Sequence, residues 1–420
     1  MDYFAEVNEE FDELVRLRRH FHENPECGPA EQIKTLEFIE SELDKIAVRH
    51  VRIEHGGVLG FIDGAKDGKT LLLRSDTDAL PIQEDSENLA GKKLCVSNVK
   101  GVSHACGHDG HMAMLLVTAK LLKQREQNLA GSVILMFEES EEITLEVEQI
   151  CKYIEEKQIK IDACYGNHVR WDMPSGTVAC NDGIAMHGLL AFEVEIFGKN
   201  GHGSRPDLGC STLDAFNLFY NSMNQMRMKL AAPDVRFTWS IGRVECGTAR
   251  NVIPDHLYFG GTARFSEAED GRRAFFQIKK YLESACSVCD CKFKISPDQY
   301  LLPVVNYSTC AEFAKENIIK NLGKEVLYDA EPWMASETFN YLSNFYPSVY
   351  CFVGIKNEKI GSGENHHTPK FDLDEKALVY GTAAALSYAV NFLENPPDLS
   401  GFKKVRPSFK DFISFVHDFA

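Results

Sequence analysis

The sequence predicts an α/β protein: a mostly parallel sheet flanked by helices, with a ferredoxin-like α+β domain inserted into it. Three observations carry this expectation. Apolar strand runs alternate with amphipathic helices over the first 185 residues and again from about residue 303, the rhythm of a parallel sheet with helical crossovers. Between those stretches the strands alternate apolar and polar residues and follow the order βαββαβ. The chain has 420 residues, enough for two or three hydrophobic cores.

Taken in order, Phe4, Val7, Phe11, Leu14 and Val15 share one face of a first helix. Ile33, Leu36, Ile39, Leu43 and Ile46 do the same for a second. VLGFIDG and TLLLRSD read as strands, and the second turns polar at its end, as a buried strand does on reaching a site. A helix over 111–125, the strand GSVILMF, a helix over 141–157 and the strand IDACYGNHV follow. The insertion begins with LLAFEVEIFG, then a helix over 210–230, strands over 236–246 and 256–265, a helix over 267–287 and a strand over 291–296. After it come a helix, the strand EVLYD, a helix, the strand VYCFVGI, a glycine-rich loop and a last helix from Asp374. The expected domains are therefore 1–185 with 301–396, the insertion 186–300, and a C-terminal extension 397–420 that opens on a Pro pair.

A net charge of −17 argues against nucleic acid, which needs a basic face, and against anionic membrane surfaces. No run of 18 apolar residues predicts a spanning helix, and the acidic, amphipathic N-terminus lacks the apolar core of a secretory signal. Thirteen cysteines, an odd number without regular spacing, favour reduced thiols and a cytoplasmic location.

The segment HACGHDGH, residues 104–111, concentrates three imidazoles, a thiol and a carboxylate. Thiolate and imidazole suit zinc and its neighbours. Cys106 and His108 point the same way in an extended segment, and a helix starting near Asp109 sets its positive end beside them. For one His a solvated ring is the simpler reading, and for Asp109 a helix cap; five such groups in eight residues favour a metal site. The strand GSVILMF runs into the acidic stretch 138–142, where adjacent Glu141 and Glu142 diverge. One could bind metal while the other acts as general base on the attacking water. Ser140 as N-cap with acidic residues in a first helical turn explains the same residues, and they alone leave both readings open. His168 falls at a strand's carboxyl end, and His366 and His367 lie in the loop before the last helix. Two other readings compete: Cys106, flanked by His104 and His108, as the nucleophile of a thiol hydrolase, and a non-catalytic protein that keeps the fold for binding.

RRHFHENPE, RSDTDALPIQE, HACGHDGHMAML, GNHV, GHGSRPD, GTARNVIPD, GGTARF and HTPKFDLDE occur in this order to about residue 395. In them the chain resembles the M20 metallopeptidases, specifically their aminoacylase/hippurate hydrolase branch. The resemblance implies a zinc-peptidase-like catalytic domain and, in the insertion, a lid and dimerisation domain. It implies a metal-dependent amidohydrolase that cleaves N-acyl amino acids or small conjugates to a carboxylic acid and an amino acid. Two divalent ions (Zn²⁺, Mn²⁺, Co²⁺ or Ni²⁺) would be bridged by Cys106, with His108, Glu142, His168 and His367 as further ligands. Glu141 would be the general base and Asp78 would orient a ligand from behind. His202 of the lid would stabilise the oxyanion in the other subunit of a homodimer or tetramer. Asn251 would help hold the substrate carboxylate, for which Arg205, Arg250 and Arg264 are candidate partners. The chain departs from the family pattern at Glu138, Glu139 and Ser140, where Gln-Pro-Ala is usual, and at Asn167, His366 and Thr338, which bear on the substrate pocket.

Overall fold

The structure is a computed structural model that describes residues 2–418 except 29–31, 145, 231, 233 and 234. It opens with helices α1 (Tyr3–Glu9), α2 (Phe11–Glu23) and α3 (Ile33–Lys45) and strands β1 (Arg49–Ile53), β2 (Gly57–Asp63) and β3 (Lys66–Asp76). Then come α4 (His108–Gln124), β4 (Ala130–Glu138), α5 (Val147–Glu156), β5 (Ala163–Pro174) and β6 (Val178–Ala179). The middle holds β7 (Gly188–Phe197), α6 (Thr212–Met223), β8 (Phe237–Cys246), β9 (His256–Phe265), α7 (Ala268–Val288) and β10 (Lys292–Leu301). The last elements are α8 (Ser308–Asn321), β11 (Ser348–Lys356), α9 (Ala377–Glu394) and α10 (Phe409–His417). These elements gather into two compact units. The first is Met1–Ala185, Val305–Glu331 and Thr338–Ile413; the second is Met186–Val304, Pro332–Glu337 and Ser414–Ala420.

The first unit is built on a seven-stranded sheet of order β1-β2-β4-β3-β5-β11-β6. Its four central strands, β4, β3, β5 and β11, run parallel. Strands β1, β2 and β6 add antiparallel at the margins, so the sheet is mixed. The central strands are apolar on both faces because helices cover both, which is why their sequences lack alternation. Helix α4 is buried almost all round, packed on β3 and β5 and covered by α2; α9 is likewise covered by α1 and α8. The carboxyl ends of β3 and β4, where a sheet of this kind carries its ligands, bear Asp76 and Glu138. His168, expected at a strand's end, lies midway along β5, because pairing with β11 carries that strand on to Pro174.

The second unit holds an antiparallel sheet of order β8-β9-β7-β10 with α6 and α7 packed on it, the ferredoxin-like arrangement expected. Strand β9 alternates buried and half-exposed residues without a break from Leu257 to Phe265. Its inward residues Phe259 and Phe265 meet Phe219 of α6 and Tyr300 of β10.

Three local expectations fail and one strand is missed, each for an identifiable reason. The charged strand β1 (RHVRI) goes unread because it is an edge strand with little apolar signal. The helix over 141–157 divides into a 3₁₀ turn, Glu141–Ile143, and α5, since Ser140 and Thr144 adopt left-handed φ values of 56° and 57°. Ser140 makes no helix-capping bond; its hydroxyl accepts from Gln32 Nε2 at 3.2 Å. The helix over 210–230 breaks after Met223, where the Gln225 N–H turns back to Ser222 O. EVLYD forms a 3₁₀ turn, Lys324–Val326, and only Leu327 bridges to Val178.

Candidate metal centre

The centre forms where the N-terminus of α4 meets the carboxyl end of β4 and the middle of β5. Gly107 makes the entry into α4 with φ of 89°. A Cβ there would lie 2.4 Å from Val169 Cγ2, so glycine is required both for its φ and for the close approach to β5. That turn leaves Cys106 on the extended side and His108 as the first helical residue. The left-handed residue Ser140 turns the chain off β4 and presents Glu141 and Glu142.

Ligand-type atoms then converge. Cys106 Sγ lies 3.5 Å from His168 Nε2 and 3.3 Å from His367 Nε2. His367 Nε2 is 3.1 Å and His108 Nε2 is 3.8 Å from Glu142 Oε1. Cys106, Glu142 and His367 offer three donor atoms all within 4.8 Å of one another; so do His108, Glu141 and Glu142. Glu142 thus belongs to both groups, while Cys106 adjoins His168 and His367.

The supporting contacts fix which atom each ligand offers. His108 Nδ1 bonds Asp78 Oδ1 at 3.1 Å, and Asp78 Oδ2 accepts the Glu142 N–H at 2.9 Å, so one carboxylate holds two candidate ligands. His168 donates from Nδ1 to Val169 O at 2.6 Å, which turns its Nε2 lone pair toward Cys106. The His367 backbone, at φ 61°, donates to Ala105 O at 2.9 Å and brings the distant loop to Cys106. Glu141 is buried, and the Thr338 N–H donates to its Oε1 at 3.2 Å.

Electrostatics make the same demand. Burial, then the Glu142, Glu141 and Asp76 carboxylates, push the Cys106 thiol well above its ordinary range. Burial opposes charge on His108, yet Asp76, Asp78 and Glu142 raise it to about 10. Buried carboxylates and a thiol packed this closely need positive charge among them. His108 Nε2 is buried with no hydrogen-bond partner. A thiolate, imidazole nitrogens with their other nitrogen tied back, and a shared carboxylate are a fitting donor set for divalent cations.

Two supporting residues receive no role from the sequence: Asp76, and His111, which there is only one of the clustered candidates. His111 donates from Nδ1 to Asp76 at 2.6 Å and accepts the Val169 N–H at Nε2 at 2.9 Å. Although Asp76, His108, His111 and His168 form a third close group, both His111 nitrogens are committed, and Asp76 also pairs with Arg74 at 2.8 Å. The two brace the ligands. The available signal was the polar end of TLLLRSD and the three-residue step from His108 to His111 along one helical face. Asp109 is no helix cap: it pairs with Arg18 and His22, each at 2.8 Å, and so ties α4 to α2. Of the segment's histidines, His104 is buried with neither ring nitrogen hydrogen-bonded, and burial lowers it to about 3.

The departures from the family pattern also find places. Glu138 pairs with Arg74 at 2.8 Å and Glu139 accepts the Gln32 N–H at 3.0 Å, so neither extra carboxylate joins a ligand group. His366 packs against His168 and Phe371, with ring centroids 5.4 and 4.8 Å away, and His367 is the one that enters a ligand group. Asn167 is buried in β5, and Thr338 bonds both Arg74 and Glu141.

His202, Arg205, Asn251 and Arg264 belong to the second unit. His202 and Asn251 come together there: Gly201–His202 pairs antiparallel with Val252–Ile253, and Asn251 O accepts the Gly203 N–H at 2.8 Å. Arg205 is exposed and paired with Asp207, and Arg264 donates to Ser336 Oγ at 2.5 Å.

The sequence model of peptidase family M20/M25/M40 matches residues 72–391, about three quarters of the chain. The chain belongs to this family. It is 32% identical over 412 residues to IAA-amino acid hydrolase ILR1-like 2 of Arabidopsis thaliana, covering 95% of this chain and 90% of that one. It is 31% identical over 384 residues to N-acetylcysteine deacetylase of Bacillus subtilis (strain 168), covering 91% and 97%. The crystal structure of the Bacillus subtilis YXEP protein, a dinuclear metal-binding peptidase of the M20 family, superposes with a TM-score of 0.76 at 28% identity, covering 92% of this chain and 99% of that one. All the ligand candidates of this M20 member fall inside the matched span, whereas Arg18 and His22, which anchor Asp109, lie before it.

Proposed function

We propose that this M20-family protein is a metal-dependent amidohydrolase, an aminoacylase in the broad sense, that cleaves N-acyl amino acids or small conjugates of the same kind. The observation that carries the reading is the convergence of Cys106, His108, Glu142, His168 and His367 with their coordinating atoms presented to one another. The activities named for its relatives, IAA-amino acid hydrolase and N-acetylcysteine deacetylase, supply the substrate class. Those five residues would hold two divalent ions, with Zn²⁺, Mn²⁺, Co²⁺ and Ni²⁺ all compatible with thiolate, imidazole and carboxylate donors.

Ions held there would supply Lewis acidity toward the amide carbonyl and the attacking water. Glu141 takes the proton from that water and later delivers it to the leaving nitrogen, as the C–O bond forms and the C–N bond breaks. The Thr338 N–H, bonded to Oε1 at 3.2 Å, aims the Glu141 carboxylate. His202 stabilises the developing oxyanion, a contribution of roughly 3 kcal/mol in comparable sites. Asn251 directly precedes Val252, the ribbon partner of His202, and is assigned to the substrate carboxylate, with Arg264 and Arg205 as further partners. The assignment of His202 and Asn251 to the neighbouring subunit makes a homodimer, or a tetramer of such pairs, through the second unit the working form. Among the described residues no helix is long and apolar enough to cross a membrane. All thirteen cysteines are free, which fits a cytoplasmic location.

The thiol-nucleophile alternative needs an easily ionised Cys106. Burial and then its carboxylate neighbours oppose ionisation, and two imidazoles with a carboxylate crowd it as ligands crowd a metal, not as one base serves a nucleophile. Chelation should abolish hydrolysis of N-acetyl, N-benzoyl or indole-acyl amino acids, and added Mn²⁺, Co²⁺ or Zn²⁺ should restore it. Inactivation by iodoacetamide that chelation does not reproduce would revive the thiol mechanism. A Glu141→Gln variant as active as the parent would point to a fold kept for another purpose.

A further inference from the structure

We propose that the C-terminal tail is a strap that positions Glu141: its aromatic residues clamp the 338–346 segment, whose Thr338 amide holds the Glu141 carboxylate. The tail lies beyond residue 391, where the family match ends. The proposal rests on the reading of Glu141 as general base.

Between Thr338 and Tyr346 the only regular structure is one helical turn, Asn340–Ser343, too short to be stable by itself. Yet this segment carries a demanding contact. The Thr338 N–H donates to Glu141 Oε1, and Thr338 Oγ1 accepts from Arg74 at 2.9 Å. The turn follows at once, with the Tyr341 N–H on Thr338 O at 2.9 Å.

The tail supplies what the turn lacks. The Phe409 ring stacks on Phe345 with centroids 3.9 Å apart and planes within 13°. Phe412 meets Tyr341 edge-on at 5.2 Å. Lys404 Nζ stands 4.7 Å from the centre of the same Phe345 ring, and the Val405 N–H donates to Asn344 O at 3.0 Å. Phe409 and Phe412 are fully buried. The start of α10 is itself fixed: Ser408 Oγ accepts the Asp411 N–H, and the Glu155 carboxylate accepts the N–H groups of Phe409 and Lys410. A continuous run of contacts therefore leads from Phe409 through Phe345, Phe412 and Tyr341 to Thr338 and the base. Removing Phe409 frees the turn, and a carboxylate displaced by a fraction of an ångström loses its aim on the water.

The test uses full-length, metal-loaded Phe409→Ala and Phe409→Trp, assayed on an N-acetyl amino acid. For Phe409→Ala, kcat should fall about 10- to 100-fold while KM and bound metal per chain stay within about twofold. Phe409→Trp, which restores a stacked ring, should recover most of the loss. Placed on Glu141→Asp, whose carboxylate is already displaced, Phe409→Ala should cost markedly less than it does in the parent. Should Phe409→Ala fail to melt cooperatively, Phe409→Leu takes its place. Unchanged kcat, loss of metal in step with activity, or an undiminished loss on Glu141→Asp would each overturn the strap. A fully active Glu141→Gln would instead bring down the base assignment, and the strap with it.

Discussion

Replacing Asp78 with Asn keeps the side chain's shape and removes one acceptor. In the parent, Oδ1 bonds His108 Nδ1 at 3.1 Å and Oδ2 accepts the Glu142 N–H at 2.9 Å. An amide oxygen can serve only one of these. If it keeps the Glu142 N–H, the amide NH₂ faces His108 Nδ1, and the imidazole proton is driven to Nε2. That is the nitrogen 3.8 Å from Glu142 Oε1, and once protonated it has no lone pair for a cation. If the amide turns the other way, Glu142 loses its anchor. Loss of one such supporting contact costs about 10- to 100-fold in metal affinity, equivalent to about 1.4 to 2.7 kcal/mol. Competition between apo protein and a chromophoric chelator for Zn²⁺ and Mn²⁺ measures it, and the apo melting curve checks that the fold survives. Affinity within about twofold of the parent's would refute the reasoning, since the orientation of two ligands would then not depend on Asp78.

Other consequences follow from the buried network behind α4. Arg18→Met leaves Asp109 buried without its guanidinium and should destabilise the protein by about 3 to 5 kcal/mol in urea unfolding; a loss under about 1 kcal/mol would show the pair to be dispensable. Gly107→Ala places a methyl 2.4 Å from Val169 Cγ2 at a φ of 89°. It should cost about 2 to 4 kcal/mol, and Val169→Ala should return part of it by opening space. Burial alone would raise Glu84, but hydrogen bonds from His22, Lys93 and the Ser97 amide hold it at about 2. A depressed carboxylate stabilises the folded state above its ordinary value of 4.5, and that stability disappears as pH falls through the folded value near 2. The stability gap between the parent and Glu84→Gln should therefore be widest above pH 4.5 and narrow toward pH 2; a gap constant across that window would show that Glu84 does not titrate as described.

Much of this molecule is legible in its sequence, for physical reasons. Strands buried on both faces read as unbroken apolar runs, so TLLLRSD, GSVILMF and VYCFVGI identify themselves. Imidazole, thiol and carboxylate rarely accumulate in eight residues by chance, so HACGHDGH stands out as a candidate metal site, whereas Glu142, His168 and His367 are singled out as its partners by the family resemblance. What the sequence hides is held by long-range contacts. Nothing in HACGHDGH separates His108, with a free Nε2, from His111, whose two nitrogens are taken by Asp76 and the Val169 amide. The left-handed turns at Ser140 and Thr144 are also invisible, because neither residue is a glycine and the fold imposes them. The tail hides for a similar reason. The sequence marks it only as an extension, and the packing alone reveals that Phe409 and Phe412 cover the segment beside Glu141.

The most direct test of the metal centre is anomalous diffraction from crystals loaded with Mn²⁺ or Zn²⁺. Two peaks are expected, each about 2.0 to 2.3 Å from its donors, drawn from Cys106 Sγ, the Nε2 atoms of His108, His168 and His367, and the Glu142 carboxylate. A saturated crystal with no peak among these atoms, or with its ions bound elsewhere, would contradict the assignment of this cluster as the catalytic centre.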